Sequence, residues 1–226
     1  MSTRNLRAFT RVELVIVITV VTVLSIVVLL PTLTNFKARS CRVGCVNNLK
    51  QIGIAYRLFA NDNDSGFVTS ATIQSWNGGR YVAGQTELST CYKVMGGELS
   101  SPRVLLCPVD EEFKTREIVY GDFTNLTQRS ISYFIGIRAD EKRPAMVLSG
   151  DRNLCSDLKG NTLFPADGVR TNDLKQTASW HRTTIHRGGG NIGFADGSAQ
   201  QVTTKTLLGF LAKTGDTNNT VLLPKP

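Results

Sequence analysis

From position 9 to position 30 this chain is almost wholly apolar, interrupted only by Arg11, Glu13, three threonines and Ser25. As a helix these 22 residues would extend about 33 Å at roughly 1.5 Å per residue, against a bilayer hydrocarbon core of about 30 Å. The chain as a whole is only 41 % hydrophobic, so the run is a membrane-length segment on an otherwise soluble polypeptide. Arg4, Arg7 and Arg11 precede or open the run and no acid lies before Glu13. That bias keeps the N-terminus in the cytoplasm and sends everything after the span across the membrane. A secretory signal peptide would have a shorter apolar core and a small-residue cleavage site after it. Leu29-Leu30-Pro31-Thr32 offers none, so the run is expected to stay attached as an anchor.

Past Pro31, which is expected to kink the helix or mark the membrane exit, helical periodicity resumes. Leu33, Phe36, Cys41, Cys45, Leu49, Ile52, Tyr56 and Phe59 recur at steps of three to five residues, one apolar stripe on an amphipathic helix. Such a stripe requires a sheet to cover it. Asn61-Asp62-Asn63-Asp64-Ser65-Gly66 supplies turn and capping residues; its spacing does not fit a calcium-binding EF-hand loop. Beyond it, short β-rich runs are expected as strands over residues 104–107, 131–137, 146–150, 191–195 and 199–202. Asp196-Gly197 should form a tight hairpin turn, because that pair tolerates positive φ. Residues 207–211 suit a short helix or strand, and 214–226 a loose tail. The expected fold is therefore α+β: a long N-terminal helix, membrane-spanning and then amphipathic, packed on a small, mostly antiparallel sheet. The expected divisions are a leader at 1–8, a span at 9–30, a stalk at 31–62, a head at 63–213 and a tail at 214–226.

An acid inside a spanning segment is costly and usually has a partner. Ala8-Phe9-Thr10-Arg11-Val12-Glu13 resembles the processing signal of type IV prepilins and type II secretion pseudopilins, with Ala8 where glycine is usual and Arg11 where leucine is usual. The resemblance implies cleavage between Ala8 and Phe9 by prepilin peptidase, N-methylation of Phe9, and Glu13 as the residue that meets a neighbouring subunit's terminal amine. Pairing two buried charges in this way offsets a desolvation neither bears alone. Further pieces resemble a pilin-like bacterial family: Cys45-Val-Asn-Asn-Leu-Lys-Gln-Ile, Cys107-Pro108-Val-Asp110, Asp151-Arg152-Asn153, and His186 separated by nine residues from Asp196-Gly197. Residues 70–100 and 155–180 carry no such likeness. The resemblance implies a pilin-like fold and a structural subunit of a filament, not an enzyme. Its implied partners are the peptidase, other pilin-like subunits and inner-membrane lipids, with the head on the periplasmic or extracellular side.

The formal charge of +8 falls by two if the leader with Arg4 and Arg7 is removed. Its Lys and Arg are dispersed, with no aromatic-basic module, so no nucleic-acid partner is expected. His181, His186, Asp151 and Asp196 could in principle hold a metal or orient a nucleophile. Catalytic fingerprints are absent from the sequence, so His186, Asp196 and Gly197 are expected to be structural, the histidine bonding across a glycine-rich hairpin, with no cofactor and no metal. Five cysteines leave at least one unpaired. Cys41 and Cys45 stand one helical turn apart, with Cβ atoms about 5–6 Å apart, too far to bridge. The preferred disulfide is Cys45 with Cys107, tying stalk to sheet; Cys91 with Cys155 is a second expectation, leaving Cys41 single. A zinc site built on these thiols lacks the Cys-x2-Cys spacing. Two competitors to the filament subunit stand: an anchored module that binds a cell-envelope ligand without polymerising, and an anchored enzyme using His186 and Asp196.

Overall fold

The computed structural model of the 226-residue chain describes residues 10–63, 67, 75–77, 80–82, 88–110, 122–164, 169–170, 177–216 and 219–224. The chain divides into two compact units, Met1–Ser40 and Cys41–Pro226. One helix, α1 (Arg11–Asn63), has residues in both. Its assignment continues through Pro31.

In the first unit, α1 starts at a capping box. The Thr10 hydroxyl oxygen accepts from Glu13 N (3.3 Å), and Glu13 Oε2 accepts from both Thr10 N and Thr10 Oγ1 (2.8 Å each). The polar members of the apolar run are satisfied within the helix: Thr19, Thr22 and Ser25 donate back to the carbonyls of Val15, Ile18 and Val21 at 2.7–2.8 Å. Apart from Arg11 and Glu13 at its start, every other exposed side chain in Arg11–Leu29 is hydrocarbon, and none of that segment is buried. It is the one helix among the described residues long and apolar enough to cross a membrane.

In the second unit the stripe on α1 is buried from Cys45 onward, whereas Cys41 is half-buried and the side chains of Leu33 and Phe36 lie outside the described residues. Cys45, Leu49, Ile52 and Tyr56 are inaccessible, and Phe59 nearly so. They cover one face of a six-stranded antiparallel sheet. Its strands are β3 (Tyr133–Gly136), β4 (Val147–Asp151), β6 (Val169–Arg170), β8 (Gly189–Phe194), β9 (Ala199–Thr203) and β10 (Val221–Leu222), in the order β6-β10-β3-β4-β8-β9. Two-stranded pairs β1–β2 (Ser75–Asn77, Arg80–Val82) and β5–β7 (Leu154–Cys155, Ser179–Trp180) complete the strands.

The pleat divides successive side chains between two cores. Tyr133 and Ile135 join Leu148 and the α1 stripe, together with Leu88, Cys91 and Tyr92 of the short helix α2 (Leu88–Val94). Phe134 faces the opposite core with Ile192, Val202, Trp180, and Leu207 and Leu211 of helix α3 (Thr204–Lys213). The sheet is thus covered on both sides.

Two expectations are corrected. Residues 104–107 are no strand: Pro102–Leu105 forms a 3-10 helix, because Pro102 pre-sets its first turn and Ser101 Oγ accepts from Arg103 N. The described part of 214–226 is not a loose tail, since Val221 and Leu222 pair with Gly136 and Ile135 on one side and with Arg170 and Val169 on the other. Residues 207–211 lie in α3, whose start Thr203 caps by accepting from Thr206 N. The β8–β9 hairpin turns at Asp196-Gly197 as expected, with Gly197 at φ 82°.

Candidate metal centre

Four side chains far apart in sequence point at one spot inside the second unit: Cys45 from α1, Cys107 after the first 3-10 helix, Asp151 at the end of β4, and His186 in the loop before β8. All four are buried, and one donor atom from each lies within 4.8 Å of the other three. His186 Nε2 stands 3.6 Å from Cys107 Sγ and 3.5 Å from Asp151 Oδ2. A neutral imidazole nitrogen carries either a proton or a lone pair, so Nε2 cannot donate to the carboxylate and accept from the thiol at the same time.

Two of the donors are held from behind. Asp151 Oδ2 accepts from Asn191 N (2.7 Å) and Asn191 Nδ2 (2.9 Å), whereas Oδ1, fully buried, has no hydrogen-bond partner among the described residues. His186 is fixed through its backbone, with Arg42 Nη2 donating to its carbonyl at 2.9 Å. Asn153 Nδ2 donates to the carbonyls of Ile185 (2.7 Å) and Gly189 (3.1 Å), bracketing the loop. Inside that bracket His186 and Arg187 adopt left-handed φ of 62° and 47°, a conformation costing about 1–2 kcal/mol for each non-glycine residue. Next to Cys107, Asp110 and Arg152 form a bidentate ion pair, both contacts 2.8 Å. Asn48, one turn along α1 from Cys45, donates to Leu106 O and to the Tyr133 hydroxyl.

The electrostatics follow from burial. Loss of solvent pushes Asp151 up to about 7, against the two Asn191 hydrogen bonds that favour its charged form. Burial, helped by the nearby Arg42 charge, pulls His186 down to about 4, which leaves a neutral imidazole. The Cys107 thiol is raised by its hydrogen bond with Cys45, then by burial and by the Asp151 charge. The pocket thus disfavours charge until a cation enters, and a bound cation reverses that preference for thiols and carboxylate alike.

The expected site residues are only partly brought together. Cys45 and Cys107 do meet, but as free thiols sharing their position with His186 and Asp151. Cys91 and Cys155 are also free thiols, the first in the core beneath α1, the second in β5. The His186 ring does not bond across the hairpin but reaches Cys107 and Asp151. Asp196 instead sits in the β8–β9 turn, its Oδ1 accepting from Ser198 N at 2.8 Å and its carbonyl from Arg57 Nη1 at 3.0 Å. His181 organises its own loop, Nδ1 accepting from Thr184 N at 3.2 Å. Glu13 lies at the start of α1, and Ala8 and Phe9 fall outside the described residues. Sequence reasoning weighed His186 and Asp151 as ligands beside His181 and Asp196, but missed the four-donor set because it set the thiols aside for want of Cys-x2-Cys spacing. The available signal was different: each recognisable sequence island carried one donor.

Comparison with models of protein families, with curated proteins and with solved structures found no match.

Proposed function

We propose that this chain is a membrane-anchored structural subunit of a pilin-like or pseudopilin-like filament, processed by prepilin peptidase and assembled through its N-terminal helix. The observation that carries the reading is the segment Arg11–Leu29, an entirely uncovered helix whose surface beyond its start is hydrocarbon but for three hydroxyls bonded back to the helix. Hydrocarbon area of that extent is costly in water and needs lipid tails or the same helix of other copies around it. In this reading the N-terminus faces the cytoplasm, the span sits in the inner membrane, and the sheet-bearing unit lies on the periplasmic or extracellular side.

One observation favours a second reading, an anchored binding module that does not polymerise. Glu13 already accepts two hydrogen bonds from Thr10, so a helix cap accounts for an acid at this place without any neighbouring subunit. Mass spectrometry of protein extracted from membranes separates the two. A chain beginning at methylated Phe9 supports the filament subunit; a chain retaining Met1 to Ala8 removes it in favour of the plain anchor.

A further inference from the structure

We propose that Cys45, Cys107, Asp151 and His186 form a closed, tetrahedral zinc(II) site that locks the second part of α1 onto the head sheet. The inference is independent of what the apolar segment does.

Geometry carries it. With zinc–sulfur bonds of about 2.3 Å and zinc–nitrogen or zinc–oxygen bonds of about 2.0–2.2 Å, tetrahedral coordination separates sulfur from nitrogen by roughly 3.6 Å and nitrogen from oxygen by roughly 3.4 Å. The corresponding separations are 3.6 Å between Cys107 Sγ and His186 Nε2, and 3.5 Å between His186 Nε2 and Asp151 Oδ2. The spread of all four donor atoms, within 4.8 Å of one another, is that of a coordination shell that closes slightly on its ion. Two thiolates, an imidazole and a carboxylate are a borderline-soft set, suited to zinc and poorly suited to calcium or magnesium.

A disulfide between Cys45 and Cys107 explains less. It would involve only two of the four converging groups and give no reason for His186 Nε2 and Asp151 Oδ2 to stand beside the thiols. The surroundings match those of a metal centre: Asn191 orients the ligating carboxylate through two hydrogen bonds, and Asn153 and Arg42 fix the backbone that presents His186.

The charges balance as follows. Each thiol loses its proton to solvent on binding, so two thiolates and one carboxylate around a divalent ion leave one net negative charge. The guanidinium of Arg42, bound to the His186 carbonyl, lies beside it. Four protein donors fill the shell and all are buried, so no position is left for substrate or water. The site is structural, not catalytic.

The test uses the full-length chain, extracted in detergent and purified without chelator. Plasma mass spectrometry should find one zinc per chain. After chelation and reduction the wild type should take up Co2+, with the intense visible bands of tetrahedral coordination and a near-ultraviolet thiolate charge-transfer band. Cys107→Ser should lose about half of that charge-transfer intensity, and His186→Ala should lower zinc affinity at least tenfold. Should these variants fail to fold, the wild type still decides the matter, because withdrawal of zinc should render Cys45 and Cys107 newly reactive to a thiol reagent. A wild-type chain that carries no zinc and takes up no Co2+ after reduction overturns the proposal. So does a Cys45–Cys107 bond found in the native protein, or a folded His186→Ala that retains metal at unchanged affinity.

Discussion

At Gly53 the backbone of α1 comes so close to the β8–β9 turn that a Cβ there would stand 3.0 Å from Gly197 Cα and 3.4 Å from its carbonyl oxygen. Gly197 in turn needs its positive φ of 82° for the hairpin, so neither residue can give way easily. Helix propensity alone would favour any ordinary side chain over glycine by up to about 1 kcal/mol. The steric term opposes this and wins for a large residue: Gly53→Leu should destabilise the fold by about 1–3 kcal/mol. Ile54, its exposed neighbour on α1, should tolerate alanine within about 0.5 kcal/mol. Denaturant midpoints of the two variants in detergent check the pair; equal midpoints would mean that the turn does not pack where it is placed. The contact also reassigns Asp196-Gly197. His186 and Asp196-Gly197, with nine residues between them, do separate jobs, one donor facing the buried cluster and one turn seated on the helix with Arg57 holding its carbonyl. Spacing along a chain records that two residues belong to one β-hairpin region and leaves open whether they touch.

Among the elements, α1 was the most legible and β10 the least. The stripe through Cys45, Leu49, Ile52, Tyr56 and Phe59 is a local pattern, visible because helical repeat and burial coincide. The capping box at Thr10 and Glu13 was legible by the same kind of local rule, though an acid in an apolar run drew attention to charge and away from capping. Val221 and Leu222 form a strand only because β3 and β6 flank them on both sides; nothing in so short a run marks it locally. Neighbouring polar residues fasten the approach, Asn219 Nδ2 donating to Leu211 O at 3.1 Å from a left-handed φ of 41°. Leu222 is 2 % exposed, so Leu222→Ala should cost about 2–5 kcal/mol, where a residue of a loose tail would cost almost nothing. Thermal or chemical unfolding of the full chain measures the difference. The 3-10 turn at Pro102–Leu105 was misread for a related reason: Val-Leu-Leu has strand composition, and only the proline before it and the lack of a sheet neighbour decide otherwise.

For the molecule as a whole, the role of Glu13 separates a subunit from an anchor, and one substitution isolates charge from capping. Glutamine at this position can still accept from Thr10 and complete a capping box, but carries no charge to offer a neighbour's amine. If assembly runs through an ion pair, Glu13→Gln should reduce cross-linked multimers in membranes at least tenfold while membrane insertion is unchanged, and Glu13→Ala should do the same. Multimers that survive in both variants would mean that the carboxylate serves the helix alone. The amino-acid sequence by itself determined that the chain begins with a membrane-length apolar helix, and that this helix continues as an amphipathic one whose stripe needs a sheet. Both properties repeat every few residues and depend on neighbours in the chain. Only the tertiary structure decided that a helix, a turn, the end of a central strand and a strained loop each deliver one donor to the same point. Their meeting follows from strand order and from the packing of α1 across the sheet, quantities set by the sum of both cores and by no local stretch of the chain.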